Sequence, residues 1–358
     1  MAACVHEGQG KFKMNIIVLH NIVPPDAPAD EQDNLVEARH VAEGLEEIGH
    51  EVQLMPFGFN MAETARVLRE AAPDLIFNLV ETIEGASTWA YLASALLEHL
   101  GIPYTGGSKD NLYITTNKVL TKQLLKSKRL PTAPWNAKAA PGHISFPPPY
   151  IVKPVWEEAS VDIDDHSVFY ESNAAVACLA QKQGRLPGGY FIERFIDGRE
   201  FNISVLPSPG GPWVLPPAEI KFTDYPDDKL KIVGYRAKWD DTSFEFHHTV
   251  RTFDFEPEDA FLINHIKDIT RRCCRLLNLV GYVRVDFRVT SAGLPVILEI
   301  NSNPCISPDA GFYAAVTRAG LSRAEMLSLI CQDAMQRRCM PSRYDFNAVA
   351  LPARLEIG

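Results

Sequence analysis

The sequence predicts an α/β protein that opens with a parallel sheet and becomes α+β in its C-terminal half. Three observations carry that expectation. Strand-like apolar runs alternate with helical stretches between residues 14 and 99, a Pro-rich connector PGHISFPPPY follows, and most later apolar runs succeed one another as strands. With 358 residues, 46% of them hydrophobic and 22% charged, the chain can bury a core divided over two or three domains.

Taken in order, MNIIVLHNIV reads as a strand, 32–49 as a helix ending at Gly49, HEVQLMPF as a strand, 61–71 as a helix, DLIFNLVE as a strand and 87–99 as helical. Alternation at this spacing implies parallel βαβ units in an open sheet. This first domain is expected over 14–108, after a loose tail at 1–13. A helix is expected near 115–128, ended by RLPTAPW, and a strand at YIVKPV. A helical stretch near 173–183 and the strands YFIERFI and EFNISVLPS complete a central unit, 109–204. The remainder, 205–358, should hold strands near 213–222, a polar stretch 223–249, a helix near 257–277, the strands YVRVDFRV and PVILEIN, and a helix near 322–337.

Bulk properties narrow the function. A net charge of −10 and an isoelectric point near 5.5 argue against nucleic acid as the main partner, so an anionic nucleotide would need locally placed cations. No apolar run approaches the roughly 20 residues that span a bilayer, and MAACVHEGQGKFK lacks a signal-peptide core. Seven scattered cysteines, including adjacent Cys273 and Cys274 with no CxxC spacing, suit a reducing compartment and argue against structural zinc. A cytoplasmic location without membrane association is expected. The first strand runs into HNIVPPDAPAD, not a Gly-rich turn, and no GxxxxGK[ST] occurs, which disfavours dinucleotide-binding and P-loop enzymes.

The most informative segment is YVRVDFRVTSAGLPVILEINSNP. Val283, Val285 and Phe287 alternate with Arg284, Asp286 and Arg288, and Val296, Leu298 and Ile300 with Ile297, Glu299 and Asn301. A hairpin centred between Ala292 and Gly293 would set Asp286 opposite Glu299 and Arg284 opposite Asn301 on one face. Opposed carboxylates need a cation. Asp286, Glu299 and the Asn301 amide are hard oxygen donors suited to magnesium, whose shell phosphate oxygens would complete. A solvated polar face gives the same alternation.

Lys153 lies among apolar neighbours in IVKPV, where a lysine needs an anionic partner such as a nucleotide phosphate. Lys118 and Lys238 are individually unremarkable. Glu193 and Glu200 flank a turn at Asp197-Gly198, where carboxylates could accept from an adenine amino group and ribose hydroxyls or simply be exposed.

In combination, NKVLTKQLLKSKRLPTAPW, YIVKPVWEEASVDI, FIERFIDGREFNISVL, YRAKW and RVDFRV…LEINSNP resemble, in order and spacing, the D-alanine:D-alanine ligase group of ATP-grasp enzymes. The resemblance covers about residues 100–320 and implies an ATP-grasp fold of three domains with ATP held between the middle and C-terminal ones. It implies Lys118 and Lys153 at the phosphates, Glu193 and the backbone of Arg194, Phe195 and Ile196 at adenine, and Glu200 at ribose. Lys238 would approach the transferring phosphate, and Arg284 would steady an acyl-phosphate and the tetrahedral intermediate. Asp286, Glu299 and Asn301 would hold Mg2+, or Mn2+ in its place. The implied reaction is ADP-forming ligation of a small carboxylate and an amine, in a homodimer by analogy. Loops at WEEASVD and 223–237 are expected to close over the site.

Departures fall in the substrate half. LHNIVPPDAPADEQ has no Gly-rich turn followed by glutamate, Glu158-Ala159-Ser160 replaces Gly-Ser-Ser, Trp239 replaces a tyrosine, and CISPDAGF lacks Gly-Met-Thr and an expected serine. A carboxylate substrate other than D-alanine is therefore expected, with Ser160 and Trp239 near it. Glu81 or Glu84 would face a cationic substrate group, unless both are surface carboxylates. An ATP-grasp phosphotransferase and a non-catalytic nucleotide-binding partner protein are the competing readings.

Overall fold

The computed structural model describes residues 13–138 and 144–337, so the tail expected at 1–13 lies almost wholly outside the described residues. The chain begins with β1 (Asn15–Asn21), α1 (Ala29–Glu47), β2 (Glu51–Phe57), α2 (Met61–Ala71), β3 (Leu75–Asn78) and α3 (Tyr91–Leu100). Its strands form a parallel sheet in the order β2-β1-β3. Helix α1 starts three residues before the expected Gln32, because Pro28 supplies an extended N-cap and Asp30 and Glu31 complement the helix dipole in the first turn.

Two helices follow where one was expected. Ser108 caps α4 (Lys109–Thr116), and Asn117 closes it while capping α5 (Lys118–Ser127) through the Leu120 amide. The central sheet is antiparallel, ordered β4-β7-β5-β6 from β4 (Trp135–Asn136), β5 (Tyr150–Pro154), β6 (Val168–Phe169) and β7 (Tyr190–Arg194). Its apolar face, Val152 and Ile192, packs on Val176 and Leu179 of α6 (Ser172–Lys182).

The third sheet contains β8 (Arg199–Leu206), β9 (Trp213–Val214), β10 (Ala218–Phe222), β11 (Thr249–Thr252), β12 (Val283–Val289) and β13 (Pro295–Asn301). It runs β11-β10-β8-β12-β13, with β9 paired to β8. The polar stretch 223–249 is not featureless: it folds into α7 (Tyr235–Trp239) and α8 (Phe244–His248). Helix α9 (Ala260–Leu276) covers the sheet through Ile266, Ile269 and Cys273. Helices α10 (Gly311–Arg318) and α11 (Arg323–Gln336) return to the first sheet, so Phe312, Leu327 and Ile330 share one core with Ile16, Val18 and Leu75.

Gly198, at φ 152°, carries the chain from the central to the C-terminal sheet; a Cβ there would lie 2.0 Å from the Val289 carbonyl oxygen. Among the described residues no helix is long and apolar enough to cross a membrane.

Candidate active site

A cavity of about 460 Å³ lies where the central and C-terminal sheets meet the first α/β unit. Its floor is the β12–β13 hairpin. Arg284 pairs with Asn301 and Asp286 with Glu299, the pairs expected from the sequence. Beyond Asp286 a β-bulge shifts the register, so Phe287 faces Ile297; strict alternation holds only on the half that meets the cavity.

The two opposed carboxylates are in different electrostatic states. Burial pushes Asp286 up, against the nearby Arg284 charge, whose Nε donates to Asp286 Oδ1 at 2.9 Å and whose Nη2 donates to Oδ2 at 2.9 Å. Burial also raises Glu299, but Lys118, Lys238, Arg284 and Lys153 outweigh it and bring that carboxyl down to about 2. The Asn301 oxygen accepts from the Asn303 amide at 2.9 Å, and its Nδ2 donates to Glu158 Oε2 at 3.0 Å. Among the described residues no group of three or more His, Cys, Asp or Glu forms a complete metal cage. Two carboxylates and one amide oxygen fit a cation that completes its shell with phosphate oxygens. Arg284 and Asp286, expected to serve substrate and metal separately, neutralise each other here.

The nucleotide-binding candidates gather around the same cavity. Lys153 on β5 lies 3.3 Å from Glu193 Oε2, and Lys122 lies 2.7 Å from Glu193 Oε1. Both oxygens of Glu193 therefore face lysines, and Glu193 lines the cavity wall beside Arg194, Phe195 and Ile196. Glu200 is likewise held by Arg288 at 2.6 Å. Lys118 sits behind the hairpin, 3.7 Å from Glu299 Oε2, and donates to the Glu157 carbonyl. Lys238 lines the cavity, and burial together with Arg284 lowers its pKa against the pull of Glu299, Asp286 and Glu200.

Lys122, Arg288 and Glu158 were not expected from the sequence. Lys122 was legible: Lys118, Thr121, Lys122 and Leu125 are the buried face of α5 at helical spacing. Glu158, pushed by burial up to about 7, owes its place to the conformation of a loop that sequence periodicity does not describe.

That loop and the segment 223–249 meet over the cavity. Ser160 Oγ donates to the Val233 carbonyl at 2.7 Å, Trp239 Nε1 to the Ala159 carbonyl at 3.2 Å, and the Tyr235 hydroxyl to Asp30 Oδ1 at 2.8 Å. Ser160 and Trp239 line the cavity, and their polar groups also clasp one loop to the other. Of the two alternatives Glu81 and Glu84, Glu84 is exposed on a turn at φ 52° and lies outside the cavity wall. Glu81 does line the wall, beside Asp33. Its amide donates to Asn21 Oδ1 at 3.0 Å, and burial together with repulsion from Glu37 and Glu158 raises its carboxyl. Asn21 in turn donates to Glu31 and Thr82, so buried amides of β1 fix the segment that presents Glu81.

Residues 124–332 match the family described as "D-ala D-ala ligase C-terminus". Among curated proteins, an uncharacterized protein of Sinorhizobium fredii is 27% identical over 311 residues, covering 84% of this chain and 88% of the relative. A D-alanine–D-alanine ligase of Aquifex aeolicus is 26% identical, covering 84% and 96%. Among solved structures, a D-alanine–D-alanine ligase from Bacillus anthracis complexed with ATP superposes with a TM-score of 0.69 at 18% identity, covering 90% of this chain and 98% of that one. The enzyme from Coxiella burnetii gives 0.68 at 18% identity, covering 91% and 95%.

Proposed function

The chain belongs to the D-alanine:D-alanine ligase family of ATP-grasp enzymes, which join carbon to nitrogen with ATP and Mg2+, and from that premise we propose that it ligates a carboxylate other than D-alanine to an amine. The observation that carries the ligase chemistry is the Asp286–Glu299 pair, flanked by Asn301 and faced by Lys238 and Arg284 within one cavity. In this reading the substrate carboxylate attacks the γ-phosphate, giving an acyl-phosphate and ADP, and the amine then displaces phosphate. Lys118 and Lys153 hold the nucleotide phosphates, the backbone from Arg194 to Ile196 meets adenine, and Glu200 meets ribose. Lys238 approaches the transferring phosphate, and Arg284 steadies the charge that develops on the acyl carbon's oxygen. Asp286, Glu299 and Asn301 would hold Mg2+, which neutralises phosphate charge during transfer. The Ser160, Trp239 and Tyr235 contacts keep water from the acyl-phosphate.

The departure from D-alanine rests on the changed substrate half, Glu158-Ala159-Ser160, Trp239 and the segment CISPDAGF. Asp33 and Glu81 both face the cavity, and burial raises both carboxyls. That wall would receive a cationic group of the carboxylate substrate. The test is a screen of amino-acid and amine pairs for ADP release, with mass detection of products. Ligation requires both substrates, and D-alanine alone should give no turnover. Dipeptide formed from D-alanine at rates matching the best pair would refute the specificity; phosphorylated carboxylate accumulating without amine would identify a phosphotransferase. A homodimer, proposed by analogy, requires twice the chain mass of 39.9 kDa by light scattering.

A further inference from the structure

The α1 side of the cavity carries more carboxylate than the chain neutralises. Asp33 and Glu81 line the wall there with Asp309, and Glu37, one turn beyond Asp33 on α1, is buried. None of these four forms an ion pair among the described residues, whereas Glu193, Glu200, Asp286 and Glu299 at the nucleotide end each do. Hydrogen-bond donors are scarce as well. The Ser307 hydroxyl stands 3.2 Å from both Asp33 Oδ2 and Asp309 Oδ1, and its single proton can serve only one of them. The Cys305 thiol, 3.1 Å from Asp33 Oδ2, is a weak donor. The Glu81 carboxylate accepts no hydrogen bond among the described residues; burial and the repulsion of Glu37, Glu158 and Asp33 raise it.

Two of the four are accounted for. Burial pushes the Glu37 carboxyl up to about 8, so it is mostly protonated at neutral pH, and Arg251 is a cation in the field of Asp309. Asp33 and Glu81 remain, and a buried carboxylate keeps its charge only against a partner. A further polar group meets them. The Tyr282 hydroxyl is fully buried, has no hydrogen-bond partner and lies in the field of Glu37, Glu81 and Cys305. Buried hydroxyls are ordinarily bonded, so this end of the cavity suits a polar group that the protein does not itself supply. The two carboxylates are also ordered along the cavity. Glu81 feels Glu158, whose Oε2 accepts from Asn301 at the proposed reaction centre, whereas the neighbours of Asp33 are Cys305, Asp309 and Ser307.

We propose that the carboxylate substrate is an α-amino acid with a basic side chain, its α-ammonium received by Glu81 and its side-chain cation by Asp33. The assignment rests on the ligase reading and deepens it from one cationic group to two, which makes Asp33 the residue that sets specificity. The α-ammonium stands one carbon from the reacting carboxylate and so takes the nearer acid; the side-chain cation reaches the farther one. An ammonium or guanidinium brings the protons that both carboxylates lack, and two positive charges meet two uncompensated negative ones. A neutral side chain would leave Asp33 buried and unpaired, and that penalty is the source of the selectivity.

The test has two arms. In the first, enzyme loaded with a non-hydrolysable ATP analogue and Mg2+ is dialysed to equilibrium against lysine, ornithine and arginine, each in both hands, and against norleucine and norvaline, which keep the chain and lack its charge. A basic amino acid should bind at least about tenfold more tightly than either neutral one. Equal binding of the two classes, or no binding of any basic amino acid, overturns the proposal, and the parent enzyme decides this without any variant. In the second arm, Asp33→Asn should abolish the preference by weakening only the basic ligands, while Glu81→Gln should weaken basic and neutral amino acids alike. A preference that survives Asp33→Asn overturns the assignment of the side-chain cation to Asp33. Absence of ADP release with every substrate pair would instead refute the ligase reading, and the dialysis still decides the class of ligand.

Discussion

Glu193→Gln tests how the nucleotide wall is held together. Glu193 is 1% exposed, with Lys122 at 2.7 Å and Lys153 at 3.3 Å, and Lys122 is itself 1% exposed. At an effective dielectric of about 20 these separations correspond to attractions of about 6 and about 5 kcal/mol, set against desolvation of several kcal/mol per ion. The amide removes the attraction and leaves the burial. Lys122, its pKa already pulled down by burial, can then shed its proton, which caps the loss. A net destabilisation of about 3–5 kcal/mol is expected, as for other buried pairs broken from one side. Urea denaturation at pH 7, followed by circular dichroism, measures it. The double variant Lys122→Met, Glu193→Gln removes the stranded ammonium and should return to within about 2 kcal/mol of the parent. A cost below about 1 kcal/mol for Glu193→Gln, or a double variant as unstable as the sum of its parts, would refute the reasoning.

Further expectations concern pH, closure and backbone fit. Burial pushes the Glu37 carboxyl from its ordinary 4.5 up to about 8, so its protonated form favours the fold and stability should fall as pH rises between those values. Glu37→Gln keeps an acceptor for the Ile306 amide, 2.7 Å away, and should flatten that decline in denaturation midpoints; an unchanged slope counts against the assignment. Tyr235→Phe cuts the link to Asp30 and should raise the ratio of ADP to ligated product severalfold as acyl-phosphate is lost to water, whereas a ratio held at one would show that the clasp does not exclude solvent. Gly198→Ala drives a methyl into the Val289 carbonyl at a φ disfavoured for alanine and should destabilise by roughly 2 kcal/mol or more, read from thermal melts.

The parts of this fold legible in the sequence are those governed by periodicity. The βαβ alternation of residues 14–99 and the pairing of Asp286 with Glu299 follow from which side chains must face an apolar layer, and the structure reproduces both. What periodicity cannot see is how loops choose their partners. Helix α4 depends on the Ser108 cap, α10 begins without any side-chain cap, and the Ser160 and Trp239 contacts are made to backbone carbonyls of other segments. Charge pairing was hidden for a related reason: Lys122 and Arg288 meet Glu193 and Glu200 only once separate elements are folded together, so these ion pairs could not be read from the sequence.

The central claim is that Asp286 and Glu299, on neighbouring strands, hold a divalent cation that bridges nucleotide phosphates. Electron paramagnetic resonance of Mn2+ titrated into the protein with ADP tests it without any knowledge of the other substrates. The account predicts tight Mn2+ binding that depends on ADP and weakens by about two orders of magnitude or more in both Asp286→Asn and Glu299→Gln, with the fold retained. Mn2+ affinity unaltered in both variants would contradict it.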